Sequence, residues 1–466
     1  MTITDIESIF KIGEPWPPKS EAARIATYDK NSRLYEGEHG LVWPDLNPGD
    51  GPVKIPMALN WYRRICTLFT DLLWGETPRF SADESKTIDR LVDDNQITLS
   101  AYDATIDLIK FGTAIFKIRF SKRGIIEVVN PRIWFPVVDP DNVADVKAHI
   151  LAWQLVEGDE TYLRAEIHTP GQIENRLYLL KGDKIDKRVD LPTVSRYSDL
   201  KEKIATGLNE FLIIPLHNLK ATDAVAGRSD FEDVHDVIHE MEKRSIQISR
   251  VLDQHADPKM TGGDGSIEID PYSGELSLPG GGRYYPITEG ETPPSYITWN
   301  AELDSAFKQI ESMREQLYAV AEVSPAILGE TKNGLAESGS ALKRLALPTL
   351  AKTNRLRQRI DPQLKKVLRI AASLEVESRM PGATKLTNLS IEWRDGLPQD
   401  LMEATQAENI RYLGGLSSRR SSIARLDEGA TKADLDAELE VIEAEEQARL
   451  APGPELEPLK LELPSI

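Results

Sequence analysis

The sequence predicts a helix-rich α+β fold, with one antiparallel region of strands between helical segments. Three patterns predict it. Apolar residues recur at helical spacing over residues 57–75. Over 113–120 the pattern changes to an alternation of period two, and strand-like runs then continue to residue 218 without a long helix between them. Two long amphipathic segments, 230–257 and 301–323, follow and enclose a glycine-rich stretch.

Composition limits the class of protein. The 466 residues include one cysteine, and 56 Lys and Arg oppose 75 Asp and Glu, which gives a net charge of −19. A single cysteine excludes an intrachain disulfide framework and a multi-cysteine zinc site. The acidic balance argues against a protein that coats nucleic acid, because most of its surface would repel phosphate. We find no apolar run of about 18 residues and no secretory signal pattern, and therefore expect a soluble protein of a reducing compartment.

The N-terminal part predicts four helices, over 20–36, 57–75, 84–95 and 98–111. The second of these ends at Gly75, which suits a C-cap, and Pro78 prevents its continuation. Residues 41–56 contain four prolines and predict an extended arm. Cys66 lies on the apolar helix without a basic neighbour, so we interpret it as a small core residue.

Strand-like runs separated by Gly, Pro, Asn and Asp predict one antiparallel region over roughly 112–218. Within it, Asp139 and Asp141 flank a proline. Two such carboxylates could hold magnesium, but a turn between two strands explains them equally well. We favour the turn.

The two long amphipathic segments are acidic, with net charges of −5 over 230–257 and −3 over 301–323. Their apolar stripes include Phe307 and Val320. The glycine-rich residues between them carry short β-like pieces and predict a small β-containing insert. Each segment predicts one long helix.

The last part of the chain predicts a loop over 324–337 and then a long helix over 339–375, with Ser338 as its N-cap. This helix carries a net charge of +7, and we expect kinks at Pro348 and Pro362. The elements predicted after it are a strand over 389–393, helices over 399–413, 418–426 and 431–449, and a proline-rich flexible tail over 451–466.

Few motifs point to catalysis. The sequence lacks the Gly-Lys-Ser/Thr of a Walker A loop, a dinucleotide fingerprint and a G-x-S-x-G elbow. His235 and His239 have the i, i+4 spacing of zinc ligands, and Asp236 stands where H-E-x-x-H metalloproteases place their general base. A third ligand is not obvious downstream. We favour the polar face of a long helix and keep a metal-dependent hydrolase as the alternative.

The order of the segments resembles that of the portal proteins of tailed bacteriophages, of the siphophage type. Residues 60–80 resemble the early helix of that family and the Gly-Pro turn that ends it, with the sequence NWYRRICTLFTDLLWGETPRF. Residues 337–350, ESGSALKRLALPTL, resemble the start of the family's long helix. Residues 396–406 and 414–426 resemble its crown, and the resemblance covers about 20–450.

The resemblance implies a portal-like subunit made of discontinuous parts. These are an N-terminal arm 1–19, an α/β wing 20–228 that resumes at 338–395, a two-helix stem 229–257 and 300–323, a clip 258–299, a tunnel loop 324–337, a crown 396–450 and the tail. Portal subunits form a ring, usually of twelve, at one capsid vertex, and DNA is packaged and ejected through it. The family carries no enzyme activity and no cofactor.

The resemblance also implies partners and sites. The partners are double-stranded DNA, the major capsid protein and scaffold, the large terminase subunit and a head-tail adaptor, with no membrane; the location is the virion, after assembly in the host cytoplasm. The candidate sites are Glu330, Thr331, Lys332 and Asn333 in the tunnel loop, Asp236, Glu240, Glu311 and Glu315 facing the channel, and Tyr272, Tyr284 and Tyr285 in the clip for docking.

Lys332 is the only basic residue of 324–337 and is the best candidate for a DNA contact. Stem carboxylates would repel phosphate, which lets DNA slide through the channel, because tight binding requires that phosphates be neutralised. For the basic helix 339–375 we favour pairing with the acidic stem of a neighbouring subunit over contact with DNA.

Overall fold

A computed structural model describes residues 3–46, 58–256, 303–330, 343–394, 401–426 and 432–450, together with 260–261, 268–269, 276–277, 290 and 295–296. The chain divides into two compact units, one formed by Met1–Glu330 with Leu345–Gly396 and the other by Thr331–Arg344 with Leu397–Ile466. Several predicted positions lie outside the described residues, namely Tyr272, Tyr284, Tyr285, Thr331, Lys332, Asn333, Ser338 and the tail 451–466.

The first unit begins with short and long helices, which are α1 (Ile6–Ile9), α2 (Lys19–Glu36) and α3 (His39–Val42). The predicted helix 20–36 is confirmed, and it ends where Gly37 adopts the left-handed conformation with φ of 86°. The prediction of an extended arm is wrong for its first residues, because α3 and the 3₁₀ turn Pro44–Leu46 occupy them. The remainder of that arm, 47–56, is outside the described residues.

The predicted helix 57–75 is confirmed as α4 (Trp61–Trp74). The Oδ1 atom of Asn60 accepts a hydrogen bond from the amide of Arg63 at 3.0 Å, which caps the helix. Cys66 lies on the buried face, as predicted, and burial raises the pKa of its thiol. A strand, β1 (Arg79–Ser81), and two helices, α5 (Ser85–Asp94) and α6 (Ile97–Phe111), follow.

The predicted antiparallel region is confirmed, and it forms two sheets. In the first, β2 (Thr113–Ser121) lies between β3 (Arg123–Val129) and β10 (Ile213–His217). The second has the order β4-β5-β6-β7-β8, with β9 also paired to β7. Its strands are β4 (Trp134–Val138), β5 (Val146–Glu157), β6 (Glu160–Thr169), β7 (Gln172–Lys181), β8 (Lys184–Val189) and β9 (Lys203–Ala205).

The second sheet buries one face against the N-terminal arm. Phe10 stacks on Tyr178 of β7 with their ring centres 4.9 Å apart, and Trp16 packs against Phe135 of β4 with their ring centres 4.8 Å apart. Between β4 and β5, Asp139 accepts a hydrogen bond from the amide of Asp141 at 2.9 Å, which is the turn that we favoured over a magnesium site.

Two buried histidines lie close to Trp134. The indole Nε1 of Trp134 donates to Nδ1 of His149 at 3.1 Å, and the ring of His217 lies 6.0 Å from that of Trp134. Burial lowers the pKa of each histidine to about 3, with further lowering by nearby cationic groups. Both imidazoles are therefore neutral in the folded chain at neutral pH.

The two long amphipathic segments form α7 (His235–Ala256) and α8 (Asp304–Ala321), which pack against each other. The predicted apolar stripes are only partly buried, since Leu252, Phe307 and Val320 are 49%, 53% and 46% exposed. Between these helices the described strands are short, namely β11 (Met260–Thr261) paired with β14 (Ser295–Tyr296) and β12 (Glu268–Ile269) paired with β13 (Leu276–Ser277).

The basic helix is α9 (Leu347–Glu377), which packs on β2, β3 and β10. Residues 343–345 form one helical turn that breaks at Ala346. Pro348 lies in the first turn of α9, where its missing amide hydrogen costs no intrahelical hydrogen bond, and the interruption at Ala346 falls two residues before it, close to the predicted kink. Pro362 lies inside the helix, as predicted. The strand β15 (Ser390–Glu392) follows and pairs with β1.

Residues 401–426 and 432–450 of the second unit form the helices α10 (Leu401–Leu413), α11 (Arg419–Leu426) and α12 (Lys432–Leu450), close to their predicted bounds. α11 contacts both of the others. Among the helices that the structure describes in either unit, none is both long enough and apolar enough to cross a bilayer.

Candidate functional site

Both long helices of the predicted stem are held at one place on α9. The ammonium of Lys352 forms an ion pair with Asp230, just before α7, at 2.7 Å, and both side chains are less than 10% exposed. The same ammonium donates to the carbonyl of Ala321, the last residue of α8, at 3.2 Å. It also lies 4.5 Å from the ring centre of Phe69 on α4. One buried lysine therefore connects α4, the segment that leads into α7, the end of α8 and α9.

Further contacts hold the C-terminal end of α8 against α9. The hydroxyl of Thr349 donates to the carbonyl of Glu322 at 3.0 Å and accepts from the amide of Ser324 at 2.7 Å. The guanidinium of Arg355 pairs with the carboxylate of Glu322 at 2.5 Å. These bonds satisfy carbonyl groups that a helix end leaves unpaired, and the cations complement the negative end of the helix dipole.

Some cations of the basic helix pair within their own chain. Lys352 and Arg355 pair with Asp230 and Glu322, whereas pairing of the other cations with the acidic stem of a neighbouring subunit stays a prediction. Arg359 donates to a backbone carbonyl of its own chain as well, that of Asn218 at 2.9 Å. Part of the charge of α9 therefore serves to hold the subunit together.

The histidine pair of α7 does not converge on one point. The Nδ1 atom of His235 contacts the hydroxyl of Tyr62 at 3.0 Å, and Nε2 of His239 contacts the carboxylate of Asp45 at 3.0 Å. The ring of Trp43 lies 4.8 Å from that of His239. His239 thus holds the segment that follows α3 against α7, whereas His235 joins α7 to α4.

This arrangement weighs against the hydrolase alternative. A zinc site needs three protein ligands around one point, but His235 and His239 each face a different partner. Burial lowers the pKa of His235 to about 4. In the part of the chain that the structure describes, no group of three or more His, Cys, Asp or Glu side chains could hold a metal ion.

A second buried pair joins α3 to α7. The Nδ1 atom of His39 and the Oε1 atom of Glu242 are 2.6 Å apart, and both side chains are fully buried. The same Oε1 accepts from the amide of Leu59 at 2.9 Å, and Nε2 of His39 lies 2.9 Å from the carbonyl of Leu34. Because a carbonyl oxygen can only accept, Nε2 carries a proton and the pair is held from both sides.

Three of the four predicted channel-facing carboxylates, Asp236, Glu311 and Glu315, are exposed. The fourth, Glu240, forms an ion pair with Arg244 at 2.7 Å, and both of these side chains are more than a third exposed. The four side chains belong to the two helices that Lys352 holds at their ends.

Only the beginning of the predicted tunnel loop is described. There, the carboxylate of Glu330 accepts a hydrogen bond from the hydroxyl of Tyr318 on α8 at 2.7 Å, and Arg314 lies 4.0 Å away. Burial and the neighbouring carboxylate raise the pKa of Tyr318 to about 12. The loop therefore leaves α8 from a fixed starting point.

Comparison with protein families matches residues 18–450 to the family described as "Phage portal protein, SPP1 Gp6-like". The chain belongs to this family of phage portal proteins. The match covers both units, and it includes α4, α7, α8, α9 and the helices of the second unit.

Two solved structures are similar to this portal protein at low sequence identity. One, "Neck of native GTA particle computed with C12 symmetry", is 12% identical, with 90% of this chain and 97% of that chain covered and a TM-score of 0.46. The other, "Virion of native gene transfer agent (GTA) particle", is also 12% identical, with 89% and 96% covered and a TM-score of 0.42. A search of curated proteins gave no match.

Sequence reasoning missed two parts of the portal subunit's site. Glu242 contributed to the predicted net charge of 230–257 but was not recognised as a buried residue, although its side chain is buried against His39. The signal was present, because Glu242 follows Ile238 by four residues and so falls on the apolar stripe of α7. The role of Lys352 carried no comparable signal, since its partners are more than 30 residues away in sequence or belong to other elements.

Proposed function

We propose that this portal protein assembles into a ring of twelve subunits at one capsid vertex, and that double-stranded DNA is packaged and ejected through the hole in the ring. The observation that carries the proposal is the pair of long helices α7 and α8. They keep large apolar side chains exposed in the single chain, while Asp230 ahead of α7 and Ala321 at the end of α8 are held on α9 by Lys352. Such a pair has a surface that a neighbouring copy can cover.

The exposed apolar side chains supply the association energy. Leu252, Phe307 and Val320 are each about half exposed. Burying a fully exposed side chain of this kind contributes about 1.5–3 kcal/mol, so each half-exposed one contributes about 1 kcal/mol per contact. A closed ring repeats every contact once per subunit, which multiplies these modest values.

The carboxylates give the channel its proposed property. Asp236, Glu311 and Glu315 are exposed and acidic, and we place them on the side of α7 and α8 that faces the hole. Phosphate would be repelled there, so DNA would pass without the counterion release that produces tight binding. We propose that Lys332 of the tunnel loop, together with Glu330, Thr331 and Asn333, lies next to the passing DNA.

The remaining assignments follow from the family. We propose that residues 20–228 and 338–395 form the wing, 258–299 the clip and 396–450 the crown. The clip, with Tyr272, Tyr284 and Tyr285, would dock the large terminase subunit and then the head-tail adaptor. Capsid protein and scaffold would surround the ring in the virion. The sequence carries no Walker A loop, so the ATP hydrolysis that drives packaging is assigned to the terminase.

Sedimentation velocity on purified full-length protein tests the ring. We expect the wild-type chain to sediment as one large species, and Phe307→Ser to shift the population toward smaller species. Leu99→Ser is the matched control, because Leu99 is 57% exposed but lies on α6. A wild-type chain that remains a monomer at micromolar concentration, or a control that dissociates as much as Phe307→Ser, would overturn the proposal.

A further inference from the structure

The second unit has an apolar face that its own three helices leave uncovered. Ile410 and Leu413 of α10 are 70% and 75% exposed, and Leu416, in the turn that follows, is 84% exposed. The two α10 residues are three apart and share one side of the helix. The turn folds back on α10, since the amide of Leu416 donates to the carbonyl of Arg411 at 2.9 Å. A contiguous exposed face of this kind marks a contact surface.

The described chain ends beside this face. Glu446 of α12 forms a double ion pair with Arg419 at 2.6 and 2.9 Å, and the guanidinium of Arg419 lies 5.6 Å from the ring centre of Tyr412. From Glu446 to the end of α12 at Leu450 is about one helical turn, or roughly 6 Å. The sixteen residues 451–466 that follow can span up to about 50 Å, which is far enough to reach Leu413 and Leu416.

The composition of residues 451–466 suits such a surface. Leu459, Leu461 and Leu463 alternate with Lys460 and Glu462, so an extended chain would present the three leucines on one side. Pro458 and Pro464 flank this stretch and disfavour a helix. A segment with an apolar side and a charged side can cover an apolar face while it keeps its charges in water.

Charge at the edge of the face is complementary to the segment. Arg411 and Arg425 are both about half exposed, and both pair with the single carboxylate of Glu408, at 2.6 and 3.2 Å. Among the residues that the structure describes, two guanidinium groups therefore share one carboxylate at this edge. Glu455, Glu457 and Glu462 against Lys460 give the segment an excess of negative charge.

A cavity on the side of α10 that faces α11 offers room for a side chain. It lies between α10 and α11, has a volume of about 290 Å³ and is lined in part by Tyr412, Ile423 and Leu426. An apolar side chain inserted there would gain contacts on several sides.

We propose that residues 456–463 of the chain's own C-terminal segment lie on the face formed by Ile410, Leu413 and Leu416. The proposal does not rest on the ring, since all the groups involved belong to the second unit of one chain. The segment would stabilise α10 and would keep its leucines from joining unrelated molecules.

Disulfide trapping tests the contact in the full-length protein. The only native cysteine, Cys66, is fully buried, so an introduced pair reports without interference. We expect Leu413→Cys with Leu461→Cys to form an intrachain disulfide rapidly under mild oxidation. The control is Val441→Cys with Leu461→Cys, because Val441 is 54% exposed on α12 of the same unit. Equal rates for the two pairs, or disulfides formed only between different chains, would overturn the proposal.

Hydrogen exchange gives an independent readout. We expect the triple variant Leu459→Ser, Leu461→Ser and Leu463→Ser to exchange the amides of α10 about tenfold faster than the wild type, because the covering segment is released. The double variant Lys460→Ser with Glu462→Ser changes the same segment on its polar side and should leave exchange unchanged. Unchanged exchange in the triple variant would refute the contact.

Discussion

Replacement of Lys352 by methionine should destabilise the first unit strongly. The variant Lys352→Met keeps the aliphatic stem against Phe69 but leaves the buried carboxylate of Asp230 without its cation. Removing one partner of a buried ion pair costs about 3–5 kcal/mol. Loss of the hydrogen bond to the carbonyl of Ala321 adds about 1 kcal/mol. The sum is a large share of the roughly 5–15 kcal/mol that stabilises a folded domain.

The assay is urea unfolding, followed by circular dichroism, of the wild type, Lys352→Met, Asp230→Asn and the double variant. The double variant removes both charges, so the free energy of unfolding that it loses should be smaller than the sum of the two single losses by about 2–3 kcal/mol. Lys365→Met is the matched control on the same helix, since Lys365 pairs with Asp361 at 2.8 Å in a more exposed i, i+4 position. We expect that control to cost less than about 1 kcal/mol.

Two results would refute this reasoning. The first is a free energy of unfolding for Lys352→Met that lies within about 1 kcal/mol of the wild-type value, since a loss that small is what we expect of the exposed control. The second is strict additivity in the double variant, which would mean that Lys352 and Asp230 do not depend on each other.

Three further predictions concern the core, the backbone and the channel. Burial holds the pKa of His149 and His217 near 3, so the unfolded chain binds more protons than the folded chain below about pH 6.5. The free energy of unfolding, measured by urea titration, should therefore fall by about 2 kcal/mol per histidine between pH 7 and pH 5. A free energy of unfolding that does not change over this range would contradict the burial of the two histidines. Gly112→Ala should lower the free energy of unfolding by at least about 2 kcal/mol, because φ is +77° and the new Cβ would lie 2.4 Å from backbone atoms. Gly158→Ala is the control in the same thermal unfolding experiment. At φ of +64° its Cβ meets no atom within 4 Å, so it should cost about 1 kcal/mol. Lys332→Ala should reduce DNA packaging in an assay with terminase while rings still form; undiminished packaging would remove the proposed DNA contact.

Local patterns were enough to predict most elements of this fold. The period-two alternation after residue 112 identified the strands, and helical spacing identified α4, α7 and α8 to within a few residues. Pro348 lies close to the interruption at Ala346 and in the first turn of α9, because a proline disrupts the interior of a helix but suits its first turn.

Contacts between distant segments could not be predicted in the same way. Strand β1 pairs with β15 across more than 300 residues, and no property of either three-residue strand identifies its partner. The pairing of Lys352 with Asp230 is of the same kind, because any of the acidic residues in the stem helices was an equally suitable partner for a basic helix. Charge counts show which ions are present, whereas packing decides which of them become buried.

The predicted site contains some features that follow from local sequence patterns and others that depend on contacts between distant segments. Asp236, Glu311 and Glu315 are exposed, because exposure follows from the polar side of an amphipathic helix, and their position in a channel stays a prediction. Glu242 is the exception, since its position on the apolar stripe places a carboxylate in the core, where His39 compensates for the burial.

Electron cryo-microscopy of the purified full-length protein tests the central claim most directly. The account predicts closed rings with a central hole, in which α7 and α8 of each subunit pack against those of the next, Phe307 is covered by the neighbour and Asp236, Glu311 and Glu315 face the hole. Single subunits, or rings in which these carboxylates are buried between subunits and the hole is lined by the basic helix α9, would contradict it.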